Sequence, residues 1–438
     1  MWPESGKECL GDLRPLARVI RLSLRWLARM RTSKTFLYGS LAAIALFSLG
    51  GCRPRGAVQF PTYFAAGEAY QPSADSSNAY DGYRLAAETV RKDAAEWMRR
   101  SRFTPAFTAR FLAATEPAIS QMIRATEREC RFEFRAQDPF LPRPENEAWS
   151  VLARASAMRV ERAAKAGQWR EAVTLVIATH KMAADLQGGD TSDAATGFAI
   201  AQATRLAIAP YLPELPAREL QRLGRSVLRS LDNAPRPTVT RDHEASSDRA
   251  GDHFVMDAAV EENCTRMEQH KNKDIRPAVN FLRGLGADER VEFLNGLAQE
   301  GETLIAHSRS QIDLPAVERE DLEFDKNADR PWKRLARQLF GTLTPYKSMR
   351  DAWLAQSRLL GLTALAYAEG KTTGRAPEVF TEAPAGSTID PYSGKPFPYR
   401  TAGREFRIYA VGIDGQDDNG QSDDAGLEPD VILAPLTR

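Results

Sequence analysis

From about residue 79 to residue 369, apolar side chains recur at three- and four-residue intervals, and beyond 370 that rhythm stops. A stripe of this period is one face of an α-helix, and that face has to be buried against something. A run of this length closes as a bundle or as a stack of helical hairpins. The expected fold is therefore mainly α: a helical bundle or hairpin stack over 79–344, then one helix and a small antiparallel β module over 345–438. The 43% hydrophobic and 27% charged content agrees with an ordinary globular body.

The stripes can be placed individually. Leu85, Thr89, Val90, Trp97 and Met98 share one face, and Phe107, Phe111, Leu112, Ile119, Met122 and Ile123 share another. The second follows Thr104-Pro105, a favourable helix start. Residues 131–146, with Pro139, Pro142 and Pro144, read as a loop. Trp149–Ala166 and Trp169–Leu186 then form two helices around Gly167-Gln168. The Ala166-Gly167-Gln168-Trp169 turn resembles that of a tetratricopeptide hairpin. No second copy follows at a period near 34, so the reading is a single hairpin and not a binding array. Residues Thr191 to Tyr211 are apolar nearly all round, which predicts a central buried helix. Leu220, Leu223, Val227, Leu228 and Leu231 give an amphipathic helix after Pro216, and the polar residues 232–252 read as a loop. Further helices are expected at 254–270, 288–307, 329–341 and 345–369.

After 370 Gly and Pro become frequent, and alternation appears in Phe406-Arg407-Ile408-Tyr409-Ala410-Val411. With Phe397–Arg400 and Val431–Leu433, this predicts a small antiparallel sheet, with a turn at Asp414-Gly415.

The front of the chain carries an address. Phe36 to Leu49 is apolar but too short to span a bilayer, which takes about 20 residues. Arg31 and Lys34 precede it, and Gly50-Gly51-Cys52 follow. A basic region, a short apolar run and small residues at a cleavage site make a secretory signal. Leu49-Gly50-Gly51-Cys52 resembles the lipobox of bacterial lipoproteins. That resemblance implies cleavage before Cys52 and a diacylglycerol on its thiol. Residues 1–51 are thus a signal peptide, with the start expected at Met30, and the Pro-, Ser-, Gly- and Ala-rich residues 52–78 a lipidated tether. The whole chain has a net charge of +1. Residues 1–51 hold eight Lys/Arg and three Asp/Glu, so the remainder is net −4. Such a balance argues against a nucleic-acid footprint. In the lipoprotein family an Asp after the cysteine often retains the protein at the inner membrane. Arg53 stands there instead, which favours the outer membrane.

In an oxidising compartment the remaining cysteines, Cys130 and Cys264, are either a disulfide pair or two separate buried thiols. His243, His253 and His270 lie near Glu244, Asp252 and Cys264 in sequence, but without an HExxH or other short metal spacing. No GxSxG elbow or P-loop occurs.

The Asp390-Pro391-Tyr392-Ser393-Gly394-Lys395-Pro396-Phe397-Pro398-Tyr399 segment, followed by Phe406 to Gly415 and Asp-rich turns, is similar to the C-terminal module of type II secretion major pseudopilins. The resemblance covers roughly 345–434, with Pro345–Glu369 as the long helix. It does not extend to the pseudopilin's polymerising transmembrane helix. It implies a calcium loop, with Asp423 and Asp424 as the first ligands and Asp417 and Asp418 after them. The local chemistry suits calcium, because Asp414, Asp417, Asp418, Asn419, Asp423 and Asp424 offer hard oxygens close together. The spacing is not that of an EF-hand. The resulting expectation is a lipid-anchored envelope protein with an interaction or scaffold role, its partners the membrane and envelope or secretion machinery. The competing expectation is a metal-dependent envelope hydrolase using the His243/His253 region of the helical domain.

Overall fold

The computed structural model describes residues 76–99, 104–132, 144–240, 242–243, 287–320, 343–422 and 430–433. Helix α1 spans Ala79–Arg99, α2 Pro105–Ala125, α3 Pro144–Lys165, α4 Trp169–Asp185, α5 Thr191–Ile208 and α6 Ala217–Asp232. After α7, Ala287–Gln311, comes the long α8, Leu343–Thr373. A two-stranded antiparallel sheet, β1 Tyr399–Ala402 and β2 Glu405–Ile408, follows. The fold is mainly helical with a small antiparallel sheet near the C-terminus, as the periodicity predicts. Among the described residues, no helix is long and apolar enough to cross a membrane.

Local chemistry sets the helix ends. Thr104 caps α2, its Oγ1 accepting from the Phe107 N–H at 3.2 Å, with Pro105 in the first turn. Asp190 caps α5 by accepting from the Ser192 and Asp193 N–H groups at 2.9 and 3.1 Å. Gly167, at φ +69°, ends α3 in the left-handed conformation that glycine adopts without strain. Pro144 opens α3 and is not part of a loop. Its missing N–H costs nothing at a first helical position, and Glu145 and Glu147 suit the positive end of the helix dipole.

The helices stand in two layers. In one, α1 packs on α3, α3 on α5 and α5 on α8; in the other, α2 packs on α4 and α4 on α6. Contacts cross between the layers from α1 to α2, α3 to α4, α4 to α5 and α6 to α8. Trp149 of α3 is fully buried and donates its indole N–H to the Tyr83 carbonyl at 3.1 Å. Tyr83 in turn donates its hydroxyl to Asp185 at 2.6 Å, so α1, α3 and α4 share one polar thread through the core. The central helix α5 is buried nearly all round, as expected, and carries one surprise. Arg205 is 1% exposed. Its Nη1 donates to the Leu433 carbonyl, while Nε and Nη2 have no hydrogen-bond partner. Burial pulls its pKa down to about 9.

A close crossing joins α6 and α8. A Cβ on Gly361 would sit 2.5 and 2.6 Å from Leu228 Cγ and Cδ2, and one on Gly224 would sit 2.8 Å from the Gly361 carbonyl oxygen. Only two glycines let these backbones meet. α8, which begins the C-terminal segment, is therefore also the last helix of the stack.

Gly361→Ala should overpack this crossing, at about 1–3 kcal/mol. Alanine regains about 1 kcal/mol of helix propensity over glycine. Gly370→Ala on the same helix, where the nearest atom to the new Cβ is 4.0 Å away, keeps the propensity gain without the clash. Thermal melts should show Gly361→Ala lowering Tm and Gly370→Ala raising it. Equal gains from both would refute the tight crossing.

Candidate functional site

The site is built from the end of α8 outward. Arg358, half-buried on α8, donates to the Ile389 carbonyl at 2.6 Å and fixes the chain one residue before Asp390. Asp390 has no solvent exposure. Its Oδ1 accepts from the Tyr392 N–H and its Oδ2 from the Val411 N–H, both at 2.9 Å. Its backbone closes a turn, with the Gly394 N–H reaching the Asp390 carbonyl at 2.8 Å and the Asp390 N–H reaching Lys395 at 2.7 Å. Burial pushes the Asp390 carboxyl up, and the two backbone donors oppose that shift.

The same turn receives the segment that follows α7. Ala316 and Val317 donate their N–H groups to the Pro391 and Tyr392 carbonyls at 3.2 and 3.0 Å. Gly394, at φ +68°, leaves room for Pro315, which lies 2.6 Å from where a Cβ would be. Arg319 then grips Asp351 of α8 through both guanidinium nitrogens. Asp390-Pro391-Tyr392-Ser393-Gly394 is thus a docking knot between helical body and sheet.

Beyond β2 the chain enters the acidic loop. Tyr409 is buried and donates its hydroxyl to Asp417 Oδ1 at 2.7 Å; the Asn419 N–H reaches the same oxygen at 2.9 Å. The hydrogen bond from the Tyr409 hydroxyl holds the Asp417 carboxyl below its ordinary range. Asn419 and Gly420, at φ 57° and 73°, reverse the chain. Asp430 then returns beside them. Its Oδ2 accepts from the Gly420 N–H at 2.6 Å, and Ala410 and Val431 exchange backbone hydrogen bonds at 2.9 and 2.8 Å. Asp430 has no exposure, and its Oδ1 has no hydrogen-bond partner. Burial raises its pKa, the Gly420 and Asp418 N–H groups oppose that rise, and the negative charges of Asp418 and Asp417 add to it.

Of the residues predicted for this site, Asp417 and Asp418 lie in the loop beside Asp430, while Asp423 and Asp424 fall outside the described residues. Asp390 and Asp430 were not predicted as site residues. The signal for Asp430 was an aspartate directly before the apolar Val431-Ile432-Leu433. Among the described residues, no group of three or more His, Cys, Asp or Glu is placed to hold a metal ion. His243 lies in a short helical piece, and His253, His270 and Cys264 fall outside the described residues, as does Cys52. Cys130 is half-buried with a free thiol, which burial pushes well above its ordinary pKa.

A second concavity, about 740 Å³, opens between α2, the Gly167 turn and the start of α6. Trp169, Ile119 and Leu175 give it an apolar floor, and Glu116, Arg170 and Glu219 a charged rim.

Asp390→Ala should strand the Tyr392 and Val411 N–H groups, each buried donor costing about 1–3 kcal/mol. Urea unfolding should show a loss above about 2 kcal/mol, with hydrogen exchange accelerated at Val411. Asp390→Asn, which keeps one acceptor oxygen, should lose about half as much. A change within about 0.5 kcal/mol for Asp390→Ala, the range of ordinary surface substitutions, would rule out the docking knot. In comparison with known proteins, no family profile, no curated protein and no solved structure matches this chain.

Proposed function

We propose that this chain is a lipid-anchored protein of the cell envelope, held to the membrane through Cys52, with its helical stack serving as an interaction scaffold and its C-terminal acidic loop closed by calcium. The outer membrane and a partner in the envelope or secretion machinery complete this reading. The anchor rests on the order of the basic residues, the apolar run and Leu49-Gly50-Gly51-Cys52. The scaffold role rests on the open groove bordered by Trp169 and Arg170.

The calcium reading is carried by the Asp430 Oδ1 atom, a buried carboxylate oxygen without a partner next to Asp417 and Asp418. A carboxylate oxygen left without a donor in such a place is costly, and two like charges beside it add to the cost. Calcium takes six to eight oxygen ligands in irregular loops. Asp423 and Asp424 would supply the first carboxylates, which the described aspartates alone do not, with Asp417, Asp418 and Asp430 completing them. A bound cation supplies charge neutralisation there. The chain's own part is to present Asp430 from the Ala410–Val431 pairing and to reverse direction at Asn419-Gly420.

On metal-stripped full-length protein, calcium at a hundredfold excess over its Kd should stabilise by about 2.7 kcal/mol. Magnesium, which demands a tighter octahedral shell, should give less. Asp430→Asn should abolish most of the calcium response while folding normally. A flat calcium titration with unchanged Tm would dismiss the calcium loop.

The anchor has its own test. Cys52→Ser should release the protein from the membrane fraction and abolish acyl labelling; unchanged fractionation and labelling would reject lipidation.

A further inference from the structure

The reversal that leads toward Asp430 is made by Asn419-Gly420. The chain's other Asn-Gly pair, Asn295-Gly296, lies inside α7. Asparagine is chemically labile, and a following glycine makes it more so. The backbone nitrogen of the next residue attacks the side-chain amide carbon, and a glycine there has no side chain to obstruct the approach. At this pair the new bond would join Gly420 N to Asn419 Cγ. The Cγ–Nδ2 bond breaks, and ammonia leaves with the proton from Gly420 N. Water then opens the cyclic imide at either carbonyl, giving aspartate or isoaspartate. Water is the only co-reactant.

The fold treats the two halves of this reaction unequally. Asn419 is exposed, at φ 57°, with its Oδ1 3.4 Å from Arg400 Nη2. Gly420 is buried and held at both polar atoms. Its N–H donates to Asp430 Oδ2 at 2.6 Å, and its carbonyl accepts from Arg407 Nη2 at 2.9 Å. Asp430 is seated in turn by the Ala410–Val431 pairing and by its own N–H, which donates to the Gln421 carbonyl at 3.0 Å. The electrophile is thus free and the nucleophile is engaged. Attack requires the Gly420 N–H to leave Asp430, which takes a local opening of the returning strand.

The products have different consequences. Aspartate at 419 keeps the main chain and faces Arg400 with a charge. Isoaspartate routes the main chain through the former side chain and adds one methylene to it. That extra length falls between Tyr409–Asp417 and Gly420–Asp430, two hydrogen bonds that fix the loop on either side.

We propose that Asn419-Gly420 is a one-way latch. It is unreactive while Asp430 holds the Gly420 N–H, and it deamidates when the Asp430 strand lifts away. The isoaspartate then keeps that strand, with Leu433 behind it, from docking again. The latch uses no metal, so it stands or falls separately from the calcium loop.

The full-length protein, incubated at neutral pH with a chelator present throughout, is followed by peptide mapping for aspartate and isoaspartate. In urea, Asn419 and Asn295 should convert at comparable rates. In the folded chain Asn419 should convert at least about tenfold more slowly than in urea, the factor that one hydrogen bond to a charged group is worth. Asp430→Ala removes the acceptor and should restore most of that rate at Asn419 while Asn295 stays slow. If Asp430→Ala speeds both sites alike, the variant has unfolded, and Arg407→Met decides: by freeing the Gly420 carbonyl it should speed Asn419 and not Asn295. Chains carrying isoaspartate at 419, once purified, should exchange the Val431 amide hydrogen faster than unmodified chains. Equal rates at Asn419 in the folded and unfolded protein, or a rate that neither variant changes, would overturn the gate. A Val431 amide as protected after conversion as before would overturn the latch.

Discussion

Two glycines facing one another, Gly224 on α6 and Gly361 on α8, let these two helices meet at close range. With no Cβ on either side, Leu228 and Leu365 reach the opposite backbone, and α8 settles into the stack. Everything C-terminal depends on that seat. Arg358 of α8 fixes the strand entering Asp390, and Asp351 of α8 receives Arg319 from the segment that follows α7. Moving α8 outward by the width of a methyl group would shift both attachments at once. Close packing of this kind is not continuously adjustable, so the crossing acts as a fixed reference for the sheet beyond it.

Much of the helical layout was legible because burial on one face imposes a 3.6-residue period, and that period survives in the sequence. The hairpin around Gly167 is the clearest case: one residue at positive φ, small residues beside it, and two apolar stripes. Pro144 was harder. A proline cluster reads as a loop, yet a proline at the first position of a helix is favourable, and the two situations differ only in what comes next. Pro237, which opens a short helical piece inside the expected loop 232–252, repeats the ambiguity. The expected helices at 254–270 and 329–341 lie outside the described residues.

The sheet and the acidic loop were legible in kind and not in register. Alternation over Phe406–Val411 announced a strand, but the ladder is set by the Gly403-Arg404 turn and pairs Tyr399 with Ile408. Val431 returns only as a single bridge to Ala410. Asp390 and Asp430 owe their roles to backbone N–H groups at Val411 and Gly420, twenty-one and ten residues away. No local pattern encodes such a pairing. Both carboxylates are fully buried, but they differ in satisfaction: Asp390 has a donor for each oxygen, and Asp430 has one oxygen left over.

The hydrogen bond from Arg205 to Leu433 joins residues 228 positions apart. Its donor lies in the middle of the stack, its acceptor two residues past the Val431 bridge to Ala410. A chain delivered N-terminus first can form its early hairpins from neighbouring segments, which close quickly. Its central helix has to wait. Until Leu433 arrives, the guanidinium in the α5 core lacks its one protein acceptor, and a charge without a partner resists burial. Completion of the core is thereby tied to a residue made 228 positions later, so a chain interrupted before Leu433 would expose its incompleteness at its centre.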